Sequence, residues 1–180
     1  MEYFDICDIN GQPTGAIISR DEAHDKGILH RTAHVWIARN FEGRTQVLLQ
    51  KRSLIKDSYP GLYDTSSAGH IPAGSEPLPS ALRELEEELG ISAKPEQLTY
   101  IGHFFIQYEE VFHDKPFRDY EYSYVYLYTD PVDIDTLVLQ ESEVESVRWF
   151  DIDEVNIEKN GETRFCVPAA GLQLLKEYLA

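Results

Sequence analysis

Apolar and polar residues alternate in short runs along most of the chain, and one segment breaks that pattern for a helical one. The strand-like runs, rich in β-branched, aromatic and aliphatic residues, are Tyr3–Asp8, Ala16–Ser19, Ala33–Arg39, Gln46–Lys51, Thr65–Ala68, Thr99–Tyr108, Glu121–Thr129 and Ser146–Phe150. Between Pro77 and Leu89 the period changes: Leu78, Leu82, Leu85 and Leu89 recur at i, i+4, i+7 and i+11, which traces one apolar stripe on a helix. Pro77 and Pro79 suit a first helical turn, whose N–H groups need no intrahelical partner, and Gly90 suits a left-handed cap at the other end. A second helix is predicted over Pro168–Leu179, and turn-rich patches fall at Asn10-Gly11, Asn40–Gly43 and Asn160-Gly161. Strands on both sides of an early helix, with another helix at the end, predict an α+β layered sheet rather than a βαβ repeat. With 180 residues, 42% of them hydrophobic, and no linker or repeat, residues 1–180 are expected to form one domain.

Charge narrows the function classes. Thirty-two acidic residues against sixteen basic ones leave a net charge of −16, so a sequence-independent grip on a long nucleic acid is excluded, because that grip rests on Lys and Arg neutralising phosphates. A small phosphorylated substrate is not excluded, since divalent cations held by carboxylates reverse the local field. The segment Met1-Glu2-Tyr3-Phe4-Asp5 has neither a basic region nor an apolar core of a signal peptide, and no run approaches the roughly 20 apolar residues of a membrane span. A cytoplasmic protein without a membrane partner is therefore expected. Cys7 and Cys166 are far apart and lack metal-like spacing, which supports neither a disulfide framework nor a zinc site.

On the helix, Glu84, Glu87 and Glu88 are related by i+3 and i+4 steps, so their carboxylates share a side while the leucines face the core. Taken as charge alone this is an ordinary solvated face. Glu86, Glu87 and Glu88 nevertheless stand in the last turn, where the macrodipole disfavours anions by roughly 0.3–1 kcal/mol each. The Glu84/Glu88 pair adds like-charge repulsion of about 0.2–0.5 kcal/mol. A bound cation removes both penalties, and hard oxygen ligands grouped this way suit Mg²⁺ or Mn²⁺.

The segment from Gly69 to Ile91, which reads Gly69-His-Ile-Pro-Ala-Gly-Ser75-Glu76 and then Arg83-Glu84-Leu85-Glu86-Glu87-Glu88-Leu89-Gly90-Ile91 after six further residues, resembles the Nudix box G-x5-E-x7-R-E-U-x-E-E-x-G-U. One fixed position departs: Ser75 stands where the family has Glu, and the acid comes one place later at Glu76. The resemblance implies a Nudix fold, a mixed β-sheet sandwiched between α-helices, and Mg²⁺-dependent hydrolysis of a diphosphate bond. It makes Glu84, Glu87 and Glu88 the metal ligands, with Arg83 orienting them through a carboxylate. The general base is Glu84 or a residue of the acidic loop before the last strand, Glu143 ahead of Glu141.

Similarity over about residues 2 to 155 points to the branch that contains type I isopentenyl-diphosphate isomerase, carried by His24, Leu29-His30-Arg31, Leu48 to Arg52 with Lys56, Pro60-Gly61 and Gly69-His70. By resemblance, His24, His30, His70, Asp119 and Glu121 match a second metal site, and Arg52 and Lys56 match positions that hold the substrate diphosphate. Asp119 and Glu121 alternate with Tyr120 and Tyr122, so both acids face one side of a strand. Isomerisation needs a cysteine next to the Gly-His to work as half of a proton-transfer pair. Ala68 occupies that place, preceded by Ser66 and Ser67, so hydrolysis is favoured over isomerisation, with a non-catalytic ligand sensor as the third reading. The tyrosine-rich strand Tyr120–Tyr128 leaves a homodimer open.

Overall fold

The computed structural model describes all residues, 1–180. An N-terminal antiparallel hairpin, β1 (Tyr3–Cys7) and β2 (Pro13–Ser19), leads into a short helix, α1 (Arg20–Lys26). The main sheet contains β3 (His30–Phe41), β4 (Arg44–Arg52), β5 (Tyr63–Asp64), β6 (Ser67–His70), β7 (Thr99–Phe112), β8 (Lys115–Tyr128) and β9 (Val144–Asp151). Its order is β5-β4-β3-β8-β7, with β6 also paired to β3 and β9 to β4. The β3–β8 pair is parallel and the others are antiparallel, so the sheet is mixed.

Period-two alternation places the core on both faces. Ala33, Val35, Ile37 and Leu48 turn to one side and pack on Ala81, Leu85 and Leu89 of helix α2 (Pro77–Leu89). Trp36, Ala38, Val47 and Leu49 turn to the other and meet Leu172 and Leu175 of helix α3 (Ala169–Leu179). The sheet thus lies between helices, as the α+β pattern and the Nudix resemblance lead one to expect. Helix α2 starts and stops where the sequence predicts: Pro77 opens it, and Gly90 caps it with φ 71° while its N–H donates to the carbonyls of Glu86 and Leu85. No helix is long and apolar enough to cross a membrane.

Three departures from the sequence reading shape the site. Helix α1 was not anticipated, because its seven residues bury only Ala23 and His24 and so carry too short an apolar stripe. It forms through its ends: Ser19 Oγ accepts from the Glu22 N–H, and Gly27 closes it at φ 64°. The expected strand Thr65–Ala68 is split, with Tyr63–Asp64 pairing to β4 and Ser67–His70 pairing to β3. At the crossing, Ser66 Oγ donates to the Leu48 carbonyl and accepts from the Ile37 N–H at 2.8 Å, completing the hydrogen bonds where β4 leaves β3. A notch opens there between β4 and β6. The hairpin β7–β8 also runs beyond the expected Tyr108 and starts before Glu121, turning at His113-Asp114 with both residues at positive φ.

Candidate active site

Helix α2 points its last turns at this notch. Glu88 is buried at 4% exposure; its Oε2 accepts from Gln50 Nε2 at 2.8 Å and from the Ala68 N–H at 3.3 Å. Burial pushes its carboxyl up to about 8, and the charge of Glu84 adds to the shift. Glu84 is raised as well, again by burial first, with Arg83 working in the opposite direction. Arg83 Nη2 donates to Glu84 Oε1 at 2.5 Å and to the His70 carbonyl at 3.3 Å, which ties the acid to strand β6. Glu87 is exposed and lines the same cavity as Glu84 and Glu88. Gly69 lets helix and strand approach this closely, since a Cβ there would lie 2.2 Å from Glu84 Cδ.

The loop between β6 and α2 is anchored by Arg31, which the sequence shows only as part of a branch motif, and by Asp5, to which the sequence assigns no role. Arg31 Nη2 donates to Asp5 Oδ2 at 2.8 Å and to the Ser75 carbonyl at 3.0 Å, and Asp5 Oδ2 also accepts from the Gly74 N–H at 2.9 Å. Strand β1 thereby pins the box loop through a buried ion pair. Glu76 does not take over the place left by Ser75: it is exposed, begins the helix without a side-chain capping bond and does not line the cavity.

The cavity has a volume of about 1300 Å³. Arg52 and Lys56 both line it, but each already has a partner. Arg52 donates to the Ser58 carbonyl, to Ser58 Oγ and to Asp64 Oδ2 at 3.0–3.1 Å. Lys56 Nζ is paired with Glu143 Oε2, so the expected phosphate cation and the loop residue ranked first as base are in direct contact within the cavity lining. Glu141 does not reach the cavity. An aromatic wall completes it: Tyr59 lies 5.4 Å from Phe112, Phe112 5.6 Å from Phe117, and Tyr108 6.2 Å from Phe117, centroid to centroid. Cys166 also lines the cavity, and burial pushes its thiol up.

Five residues distant in sequence converge beside the box. His24 comes from α1, His30 from β3, His70 from β6, and Asp119 and Glu121 from β8. Ligand atoms of His24, His30, His70 and Glu121 lie within 4.8 Å of one another. His24 Nδ1 and His30 Nδ1 lie 2.9 and 2.7 Å from the carbonyls of Arg20 and Ile28, which leaves Nε2 of each facing inward. Phe4 stacks on His30 and His70 at 4.9 and 4.5 Å and holds both rings. The inward atoms, Nε2 of all three histidines and Asp119 Oδ1, are buried without a partner. The separations His24–Asp119, His30–Asp119 and His70–Glu121 are 3.6, 3.9 and 3.6 Å, too long for hydrogen bonds. Burial holds His30 and His70 below the usual imidazole range and pushes Glu121 well above the usual carboxylate range. Imidazole nitrogens beside the orphaned buried Asp119 Oδ1 and the Glu121 carboxylate are a donor set that fits a divalent cation. So is the box cluster, with three acids and no cation but Arg83 in contact.

Residues 28–167 match the sequence profile of the NUDIX domain. The chain belongs to the Nudix hydrolase family. An uncharacterised Nudix hydrolase of Clostridium acetobutylicum is 39% identical over 154 residues, covering 86% of this chain and 72% of that protein. Nudix hydrolase 3 of Arabidopsis thaliana is 43% identical over 155 residues, 85% of this chain, and the match spans 20% of the longer plant protein. An isopentenyl-diphosphate Delta-isomerase of Pectobacterium atrosepticum is 41% identical over 86 residues, 48% of this chain and 46% of the isomerase. Among solved structures, a C. elegans Ap4A hydrolase complex aligns with a TM-score of 0.55 at 23% identity, covering 83% of this chain and 96% of that one. At that identity the likeness is one of fold. Membership makes this Nudix protein a pyrophosphohydrolase of a family that generally works with divalent metal, as the box implies.

Proposed function

We propose that the protein hydrolyses a phosphoanhydride bond in a small organic diphosphate, a nucleoside diphosphate linked to a second group or a related compound, and that it does so with Mg²⁺, or Mn²⁺ in its place. The observation that carries this reading is that Glu84, Glu87 and Glu88 line one cavity together with the Lys56–Glu143 pair. Glu84, Glu87 and Glu88 would hold one cation, and His24, His30, His70, Asp119 and Glu121 a second. When bound, such a cation polarises phosphorus and acidifies water.

The side chains divide the remaining work. Gln50 and the Ala68 N–H aim the Glu88 carboxylate, and Arg83 turns Glu84 toward the cavity. Arg52, spent on Ser58 and Asp64, holds the loop that carries Lys56. Lys56 meets phosphate oxygens in the cavity, and its transfer to them releases Glu143 to take the proton of the attacking water. Glu84 is the second candidate for that base. The aromatic wall accommodates the organic arm, planar or apolar. Isomerisation is not favoured: Ala68 offers no proton, Ser66 Oγ is engaged by Leu48 and Ile37, and the Cys166 thiol donates to the Tyr63 carbonyl.

A panel of nucleoside-diphosphate-linked and other organic diphosphates, assayed with Mg²⁺ for released phosphate compounds, tests the proposal. At least one member is expected to be cleaved, and Glu87→Gln is expected to slow that cleavage by about 100-fold. Tight binding of panel members by calorimetry without any cleavage would establish a sensor instead.

A further inference from the structure

One buried polar group in the cavity has no part in the scheme above. His34 lies on β3, is 5% exposed and lines the cavity, yet its ring makes no hydrogen bond within the protein. Phe104 fixes the ring in an edge-to-face contact at 5.4 Å and 82°. A phenyl group would make the same contact, and the ring nitrogens are not among the fully buried orphaned atoms, so they reach the cavity and the packing alone does not account for an imidazole.

The strand register defines what the ring faces. His34 is paired across the sheet with Ala68, whose N–H holds Glu88, and stands two residues along β3 from Thr32, whose hydroxyl holds Glu121. It therefore sits between the glutamate cluster and the histidine cluster. The polar groups lining the same cavity include six carboxylates, Glu84, Glu87, Glu88, Asp64, Asp119 and Glu121. Arg52 is committed to Ser58 and Asp64, and Lys56 to Glu143. The His34 ring is thus an unspent N–H donor among acceptors, and what it lacks is an acceptor arriving from the cavity. Burial drives the ring down to about 4, so it would meet an anion as an uncharged donor throughout the neutral pH range.

We propose that His34 is a substrate-binding residue whose ring N–H donates to a phosphate oxygen of the diphosphate lying between the two clusters. The inference rests on the reading that this cavity takes a diphosphate. Its test uses methylenediphosphonate, which keeps the non-bridging oxygens of a diphosphate and resists hydrolysis because CH₂ replaces the bridging oxygen, with Mg²⁺ and protein labelled with ¹⁵N in its histidines. On adding the ligand to the wild type, the ring nitrogen signals that vanish in His34→Phe are expected to shift. Calorimetry is expected to show about tenfold weaker binding in His34→Phe and recovery of most of that loss in His34→Gln, which keeps an N–H donor. Wild-type affinity in His34→Phe, with the His34 signals unmoved in the wild-type titration, overturns the inference and leaves the diphosphate reading standing. If wild-type protein does not bind methylenediphosphonate at all, the diphosphate reading falls and this inference falls with it. If His34→Phe does not fold, the signals missing from His34→Gln identify the His34 ring in the same way and the wild-type titration is read on them.

Discussion

Glu88→Gln is expected to lower turnover by on the order of 100- to 1000-fold and, at the same time, to stabilise the metal-free protein at pH 8. The two effects have one cause. Glu88 is a carboxylate in the protein interior, held by Gln50 and the Ala68 N–H beside Glu84, and its folded-state value of about 8 lies above the ordinary 4.5. Between those values the native state binds more protons than the unfolded state, so stability falls as pH rises from about 4.5 through about 8. A neutral amide of the same shape removes that slope, which should be worth roughly a few kcal/mol at pH 8. A bound cation removes it too, by giving the charge a partner. Thermal unfolding in chelator from pH 5 to pH 9 checks the sign. A wild-type protein that becomes more stable with rising pH, or a Gln variant that is less stable at pH 8, would show that Glu88 is not a strained ligand awaiting a cation.

Gly69→Ala is expected to cost about 100-fold in activity while leaving the fold nearly intact. The added methyl would come within 2.2–2.6 Å of the Glu84 carboxyl group. That group is the end of a flexible side chain, so the clash is relieved by swinging the carboxylate away, and no backbone has to move. The swing breaks the Arg83–Glu84 pair and removes one ligand from the cluster. A melting temperature within a few degrees of the wild type, with weak turnover partly restored by raised Mg²⁺, is the expected pattern. Near-wild-type turnover would mean that the position of Glu84 does not matter.

The parts of this site that were legible in the sequence are those that one element supplies. The leucine stripe, the flanking prolines and Gly90, and the spacing of Glu84, Glu87 and Glu88 are all local, so helix α2 and its acid face could be read directly. The convergence of His24, His30, His70, Asp119 and Glu121 could be anticipated only by resemblance, because four separate elements carry them. Helix α1, which supplies His24, is too short to show an apolar period. The notch was hidden because Thr65–Ala68 reads as one strand, and only the Ser66 side chain bridging Leu48 and Ile37 divides it. Pairings such as Asp5–Arg31, Arg52–Asp64 and Lys56–Glu143 join residues 26, 12 and 87 positions apart, and no local pattern encodes them. Arg52, expected on the diphosphate, lines the cavity and also donates to Ser58 of its own loop, a contact that no local pattern announces.

Titrating Mn²⁺ into the protein, with the free ion followed by electron paramagnetic resonance, separates the box glutamates from the histidine cluster as cation sites and shows whether the first serves hydrolysis. Two classes of site are predicted, one lost in the Glu87→Gln/Glu88→Gln double variant together with hydrolysis, the other lost in His30→Ala/His70→Ala. Mn²⁺ binding that is unchanged by the glutamate substitutions would show that Glu87 and Glu88 hold no cation.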